Sequence, residues 1–220
     1  MPLQNRVTPL NEIVVYPEHG LFMGNRGRLH NDNRQISRQT SSVKRWIICL
    51  TSFKDRKRPL MSPGQYTELF FLDEATALAA GHRPCATCRR RDYDCFKASW
   101  IRGNPDAELT VKSSINDIDA RLHADRTTQS EEQRTFLGRL GDLPDGTFIT
   151  LPDDQTPLLL WEAKLLAWTP ARYIQGPHVD DDCEVLVRTP RSTVNALRAG
   201  YVPTIHSSWS QQTPRLTVIG

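Results

Sequence analysis

Residues 66–100 read YTELFFLDEATALAAGHRPCATCRRRDYDCFKASW. Residues 66–72 alternate and carry aromatic side chains, which predicts a strand. Asp73 is placed to cap a short helix over residues 74–80, and Gly81 suits the left-handed position just past it. Pro84 then turns the chain into Cys85-x-x-Cys88, a spacing that points two sulfurs at one tetrahedral ion. Arg89, Arg90 and Arg91 open the helix expected over residues 89–100, and Tyr93, Phe96 and Trp100 form its buried stripe. The predicted order is strand, short helix, knuckle and basic helix.

Two thiolates make half a metal site. Cys49 is the natural third ligand, because its strand, expected over residues 45–50, should lie near the strand leading into the knuckle. The fourth position stays open to His82, His30, Cys95 or a water. Zinc is the expected ion for a thiolate set. Five cysteines, with no export signal in the N-terminal residues, argue for metal or free thiols rather than disulfides.

The chain has 220 residues, enough for one compact domain or two small ones. Its 38% hydrophobic content and mean hydropathy of −0.50 describe a polar chain. No apolar run approaches the ~20 residues of a membrane helix. No membrane association is expected, and a cytoplasmic location is. Net charge is +3, unevenly spread. Residues 1–100 hold 16 Lys and Arg against 9 Asp and Glu, and residues 101–220 hold 12 against 16. A basic front half suggests a polyanion-binding face.

Two further basic stretches fit that face. Gly24-Asn25-Arg26-Gly27-Arg28 reads as a loop whose amides and guanidiniums suit a phosphate, though a solvated turn fits equally. Lys54-Asp55-Arg56-Lys57-Arg58 reads as the tip of a hairpin joining residues 45–50 to 66–72. Residues 114–126 predict a helix capped by Ser114, with Ile115, Ile118 and Leu122 on its apolar face. Asp119, His123 and Arg126 share another face, so the carboxylate is placed to orient the imidazole as a general base. The same pair serves equally to support a helix surface. Residues 129–140 read as more helix and connector. Strands are expected over residues 12–16, 147–151, 158–161, 164–168, 184–189 and 202–206, with a helix from Pro190 to Gly200. The expected class is α+β. A small zinc-knuckle αβ unit with a basic helix occupies residues 1–140, and a small antiparallel β-rich part occupies residues 141–220, the two packed as one body.

The segment Ala77-Leu-Ala-Ala-Gly81-His82-Arg83-Pro84-Cys85-Ala-Thr-Cys88 resembles the zinc domain of the Ada family, the bacterial methyl-accepting DNA repair proteins. The resemblance covers residues 43–100, under a third of the chain. The remainder is similar to a bacterial group of no assigned function that shares the knuckle and an N-terminal NRVTP…GNRG segment. The resemblance implies a DNA-binding zinc module with Cys49, Cys85 and Cys88 on ligand positions, and Cys49 on the position that accepts a methyl group. The family's second cysteine is Phe53 here, so the thiolate count falls from four to three.

Taken together, these features lead to the expectation of a zinc-containing DNA-binding protein of repair, processing or defence. A hydrolase of glycosylase or nuclease type would use Asp119 and His123. The alternatives are a non-catalytic binding module with structural zinc, or an alkyl acceptor at Cys49. The expected nucleic-acid contacts are Arg26, Arg28, Lys54, Arg56, Lys57, Arg58, Arg89, Arg90 and Arg91.

Overall fold

The computed structural model describes residues 1–37, 43–54, 59–128 and 132–211. The protein is α+β, and its described residues form four helices and two mostly antiparallel six-stranded sheets. No helix among the described residues is long and apolar enough to cross a membrane.

The first sheet contains β1 (Gln4–Val7), β2 (Ile13–Val15), β3 (Phe22–Asn25), β4 (Ile47–Leu50), β5 (Leu69–Phe71) and β6 (Arg83–Pro84), in the spatial order β2-β1-β5-β3-β4-β6. β3 therefore separates β4 from β5, and these two strands do not pair with each other as the expected hairpin requires. The expectation failed because β3 runs through the Gly- and Asn-rich stretch, where propensity argues against a strand. Gly24 is required there by contact, since a Cβ would lie 2.0 Å from the Ile47 carbonyl oxygen.

α1 (Glu74–Ala79) follows β5, and α2 (Arg90–Gly103) follows the knuckle. Asp73 caps α1 through Thr76, and Gly81 adopts φ +81° as expected. Phe96 and Trp100 of α2 are buried, as are Ile118 and Leu122 of α3 (Ile115–Arg126). Ala196, Leu197 and Tyr201 close the same core from α4 (Arg191–Arg198) and the segment after it.

The second sheet contains β7 (Phe136–Arg139), β8 (Phe148–Leu151), β9 (Asp154–Trp161), β10 (Lys164–Trp168), β11 (Tyr173–Gln175) and β12 (Glu184–Val187), in the order β11-β10-β9-β8-β12-β7. Residues 136–139 are thus an edge strand rather than helix, paired along β12. Leu72, Ala75 and Ala79 pack against Phe148, Leu159 and Leu166, so α1 lies between the two sheets.

Two buried carboxylates bind α1 to the C-terminal half. Asp73 accepts hydrogen bonds from Tyr173 Oη at 2.8 Å and His206 N at 3.0 Å, besides its two from Thr76. Glu74 accepts from Tyr201 Oη at 2.5 Å and Thr204 N at 2.9 Å. These contacts explain why residues 202–206 form no strand: their amides find side-chain carboxylates instead of a ladder.

Candidate metal centre

β4 alternates: Trp46 before it and Ile48 within it are wholly buried, while Ile47 and Cys49 face outward and are half-buried. β6 pairs with β4 in parallel, matching Pro84 to Ile48. The Cys85 amide donates to the Ile48 carbonyl at 2.9 Å, which sets Cys85 beside Cys49. The knuckle then closes when the Arg89 amide donates to the Cys85 carbonyl at 3.1 Å. This brings the Sγ atoms of Cys49, Cys85 and Cys88 within 4.8 Å of one another.

The trio fits a metal. Sulfurs of a tetrahedral zinc site lie about 3.8 Å apart, given a Zn–S bond of about 2.3 Å. The fit extends to the amides, which direct N–H groups at the sulfurs. Thr87 N lies 3.4 Å from Cys85 Sγ; the Cys88 amide also donates to Cys85 and the Leu50 amide to Cys88. Such donors stabilise thiolate charge. Hydrogen bonds from the Cys49 and Cys88 side chains, joined by these amides, hold Cys85 far below the usual thiol range despite burial. Cys49 moves the other way, because its proton is shared with Cys85 and Cys88 and its sulfur is desolvated. Three sulfurs this close cannot all ionise unaided, and a cation held among them would displace their protons.

None of the three protein candidates for the fourth position joins this cluster. His82 is wholly buried between Trp46 and Phe71, with ring centroids 5.1 and 4.7 Å away. Burial, with the charges of Arg26 and Arg126, holds it neutral. His30 is spent on Thr67 and the Ser62 carbonyl. Cys95 is exposed on α2.

The structure separates the expected basic contacts. Lys54, Arg90 and Arg91 are exposed beside the cluster in sequence, and Arg90 pairs with Asp94 on the surface. Arg28 is half-exposed and pairs with Asp32. Arg89 is turned inward. Its guanidinium lies 2.9 Å from Glu74 and 2.8 Å from Asp92, over the Phe22 ring. Buried and bonded on both sides, it does not present its charge to a polyanion. Arg26 is wholly buried too, so the Gly24–Arg28 stretch is not an open phosphate loop. Arg56, Lys57 and Arg58 lie outside the described residues.

Asp119 and His123 are also placed differently from the catalytic expectation. Both Asp119 oxygens accept from Arg83, at 2.8 Å each, in an ion pair with side chains 3% and 4% exposed. His123 Nδ1 instead lies 3.1 Å from Arg126 Nη2. The helical spacing was right, but Arg83, 36 residues away in sequence, claims the carboxylate. Glu74, which positions Arg89, gave no signal beyond its place in the first turn of a helix.

No protein-family model matches the chain, and neither a curated protein nor a solved structure is significantly similar to it.

Proposed function

We propose that Cys49, Cys85 and Cys88 bind one zinc ion, and that the exposed surface beside it docks on DNA in repair, processing or defence. The convergence of three sulfurs within 4.8 Å carries this reading. Zinc held there would keep the sulfurs of Cys49, Cys85 and Cys88 as thiolates and would supply Lewis acidity to a water or substrate atom. Lys54 comes four residues after β4, and Arg90 and Arg91 begin α2 just past Cys88, so exposed basic side chains lie close to the cysteines in sequence. The resemblance at residues 77–88 points the same way. Hydrolysis by Asp119 and His123 is not part of this proposal, because the carboxylate is sealed against Arg83.

The test joins metal analysis to DNA binding. Purified protein should carry one zinc per chain and lose it in Cys49→Ser and Cys85→Ser. Fluorescence anisotropy with a labelled duplex should show salt-sensitive binding. Arg90→Ala with Arg91→Ala should flatten the salt slope by about one for each phosphate no longer neutralised. A zinc-free protein, or affinity indifferent to both salt and these substitutions, would remove the proposal.

A second reading follows from the outward, half-buried position of Cys49. Alkyl acceptance at that sulfur predicts a single-turnover mass gain of one methyl on Cys49 after incubation with methylated DNA.

A further inference from the structure

Arg89 follows the last cysteine of the knuckle. Its amide donates to the Cys85 carbonyl at 3.1 Å, and its carbonyl accepts from the Tyr93 amide at 2.9 Å, so it closes the knuckle and starts α2. Its backbone is non-helical, with φ −130° and ψ 51°, and its side chain makes no cap bond to the helix. The guanidinium points elsewhere. Its carbon lies 4.3 Å from the ring centre of Phe22, and Phe22 is paired with Leu50, the residue after Cys49. The Leu50 amide in turn donates to Cys88. One side chain thus ties the Cys88 end of the knuckle to the strand pair that carries Cys49.

Two carboxylates hold that guanidinium, and they are unequal. The Asp92 side chain is 46% exposed, so water screens its charge. The Glu74 side chain is 1% exposed and lies 2.9 Å away. Removing one member of so buried a pair strands the other charge. Glu74 is itself fixed from the C-terminal half. The Tyr201 hydroxyl donates to its Oε1 and the Thr204 amide to its Oε2, while the Glu74 amide donates to the Thr204 carbonyl at 3.1 Å. Tyr201 also stands edge-on to Phe96 of α2, with ring centres 5.2 Å apart. The bonds of the preceding carboxylate, Asp73, go to Thr76, Tyr173 and His206 instead.

We propose that Glu74 is the positioning residue of the metal centre: through Arg89 it sets the knuckle against β4, and through Thr204 it couples zinc binding to the docking of residues 201–206. This inference rests on the zinc reading above. Groups that hold a metal's ligands in place change its affinity by about 10–100-fold when they are substituted. The coupling is reciprocal by linkage, so zinc also tightens the contact between Glu74 and Thr204.

The test uses the full chain, stripped with a chelator and titrated with zinc against a competing indicator. Glu74→Gln keeps the shape, removes the charge and should weaken zinc binding about tenfold or more. Asp73→Asn is the control. Asparagine caps a helix as well as aspartate does, and the change loosens the same C-terminal half without touching Arg89. Both variants should lose Tm, but the zinc affinity of Asp73→Asn should stay close to the parent's, whereas a merely structural role would weaken zinc binding in both alike. In the parent, hydrogen exchange followed by NMR should slow at the Thr204 amide when zinc is added, and by more than at the His206 amide, which Asp73 holds. That comparison needs no variant and gives the answer if Glu74→Gln fails to fold. Where the parent binds zinc, three results each overturn the proposal and leave the metal reading standing: folded Glu74→Gln with the parent's affinity, equal losses of affinity in the two variants, or exchange at Thr204 indifferent to zinc. A parent that takes up no zinc overturns both.

Discussion

In the second sheet, β8, β9 and β10 each pair with the next strand in sequence. In the first, β3 lies between β4 and β5, β1 pairs with β5, and β4 pairs with β6 across residues far apart in the chain. The cysteine cluster, the Arg83–Asp119 pair, and Arg26 and Arg126 stacked on Trp46 all belong to the first sheet or to the helices packed on it. The local meander supplies a scaffold, and the non-local sheet brings together groups that the sequence keeps apart.

The sharpest way to break that contrast is to remove a ligand. Cys85→Ser should abolish zinc binding and cost about 3–5 kcal/mol, or about 10 °C in Tm for a chain of this size. Tryptophan fluorescence and metal analysis would check it. An equal loss from a substitution in the β8–β9 turn would erase the distinction between the sheets.

Next in size is the sealed ion pair. Asp119→Asn leaves Arg83 buried beside a neutral amide and should cost about 3 kcal/mol. A urea midpoint unchanged by the substitution would mean that the carboxylate is not structural and would reopen a catalytic role.

A smaller effect concerns acid. His82 is neutral in the fold and titrates near 6.5 when unfolded. Its folded value is depressed, so the unfolded chain takes up the proton first. The stability associated with His82 is complete above about 6.5 and falls by about 1.4 kcal/mol per pH unit below it, down to the folded value. His82→Phe should lose that slope in denaturation curves taken between about pH 6.5 and 5.

The smallest effect lies in the meander. Glu162 and Ala163 join β9 to β10 with φ of +50° and +56°, the tight turn that favours Asn-Gly. Ala163→Gly should stabilise by about 0.5–1 kcal/mol. A loss of stability there would mean that the turn, too, depends on contacts from elsewhere.

The sequence was legible where structure is local. The knuckle, the α1 cap, the stripe Tyr93, Phe96 and Trp100, and strands β8 to β10 follow from spacing and turn residues. The basic residues were harder. Arg89, Arg90 and Arg91 look alike in a row, yet Arg89 precedes α2 with a non-helical backbone and turns inward to Glu74, while Arg90 and Arg91 in the first turn stay in water. β3 was missed because Gly24 answers to the Ile47 carbonyl and not to strand propensity. Asp119 was misread for a similar reason, since the residue that claims it lies on β6, outside its own helix.

The pairing of Pro84 with Ile48 bears on the timing of assembly. Cys49 leaves the ribosome well ahead of Cys85, so a nascent chain presents a lone thiol until α1 and the knuckle have emerged. On the zinc reading proposed above, the ion would close a cluster whose strands the backbone holds in register. On that reading, chains made without zinc would carry three bare thiols open to oxidants.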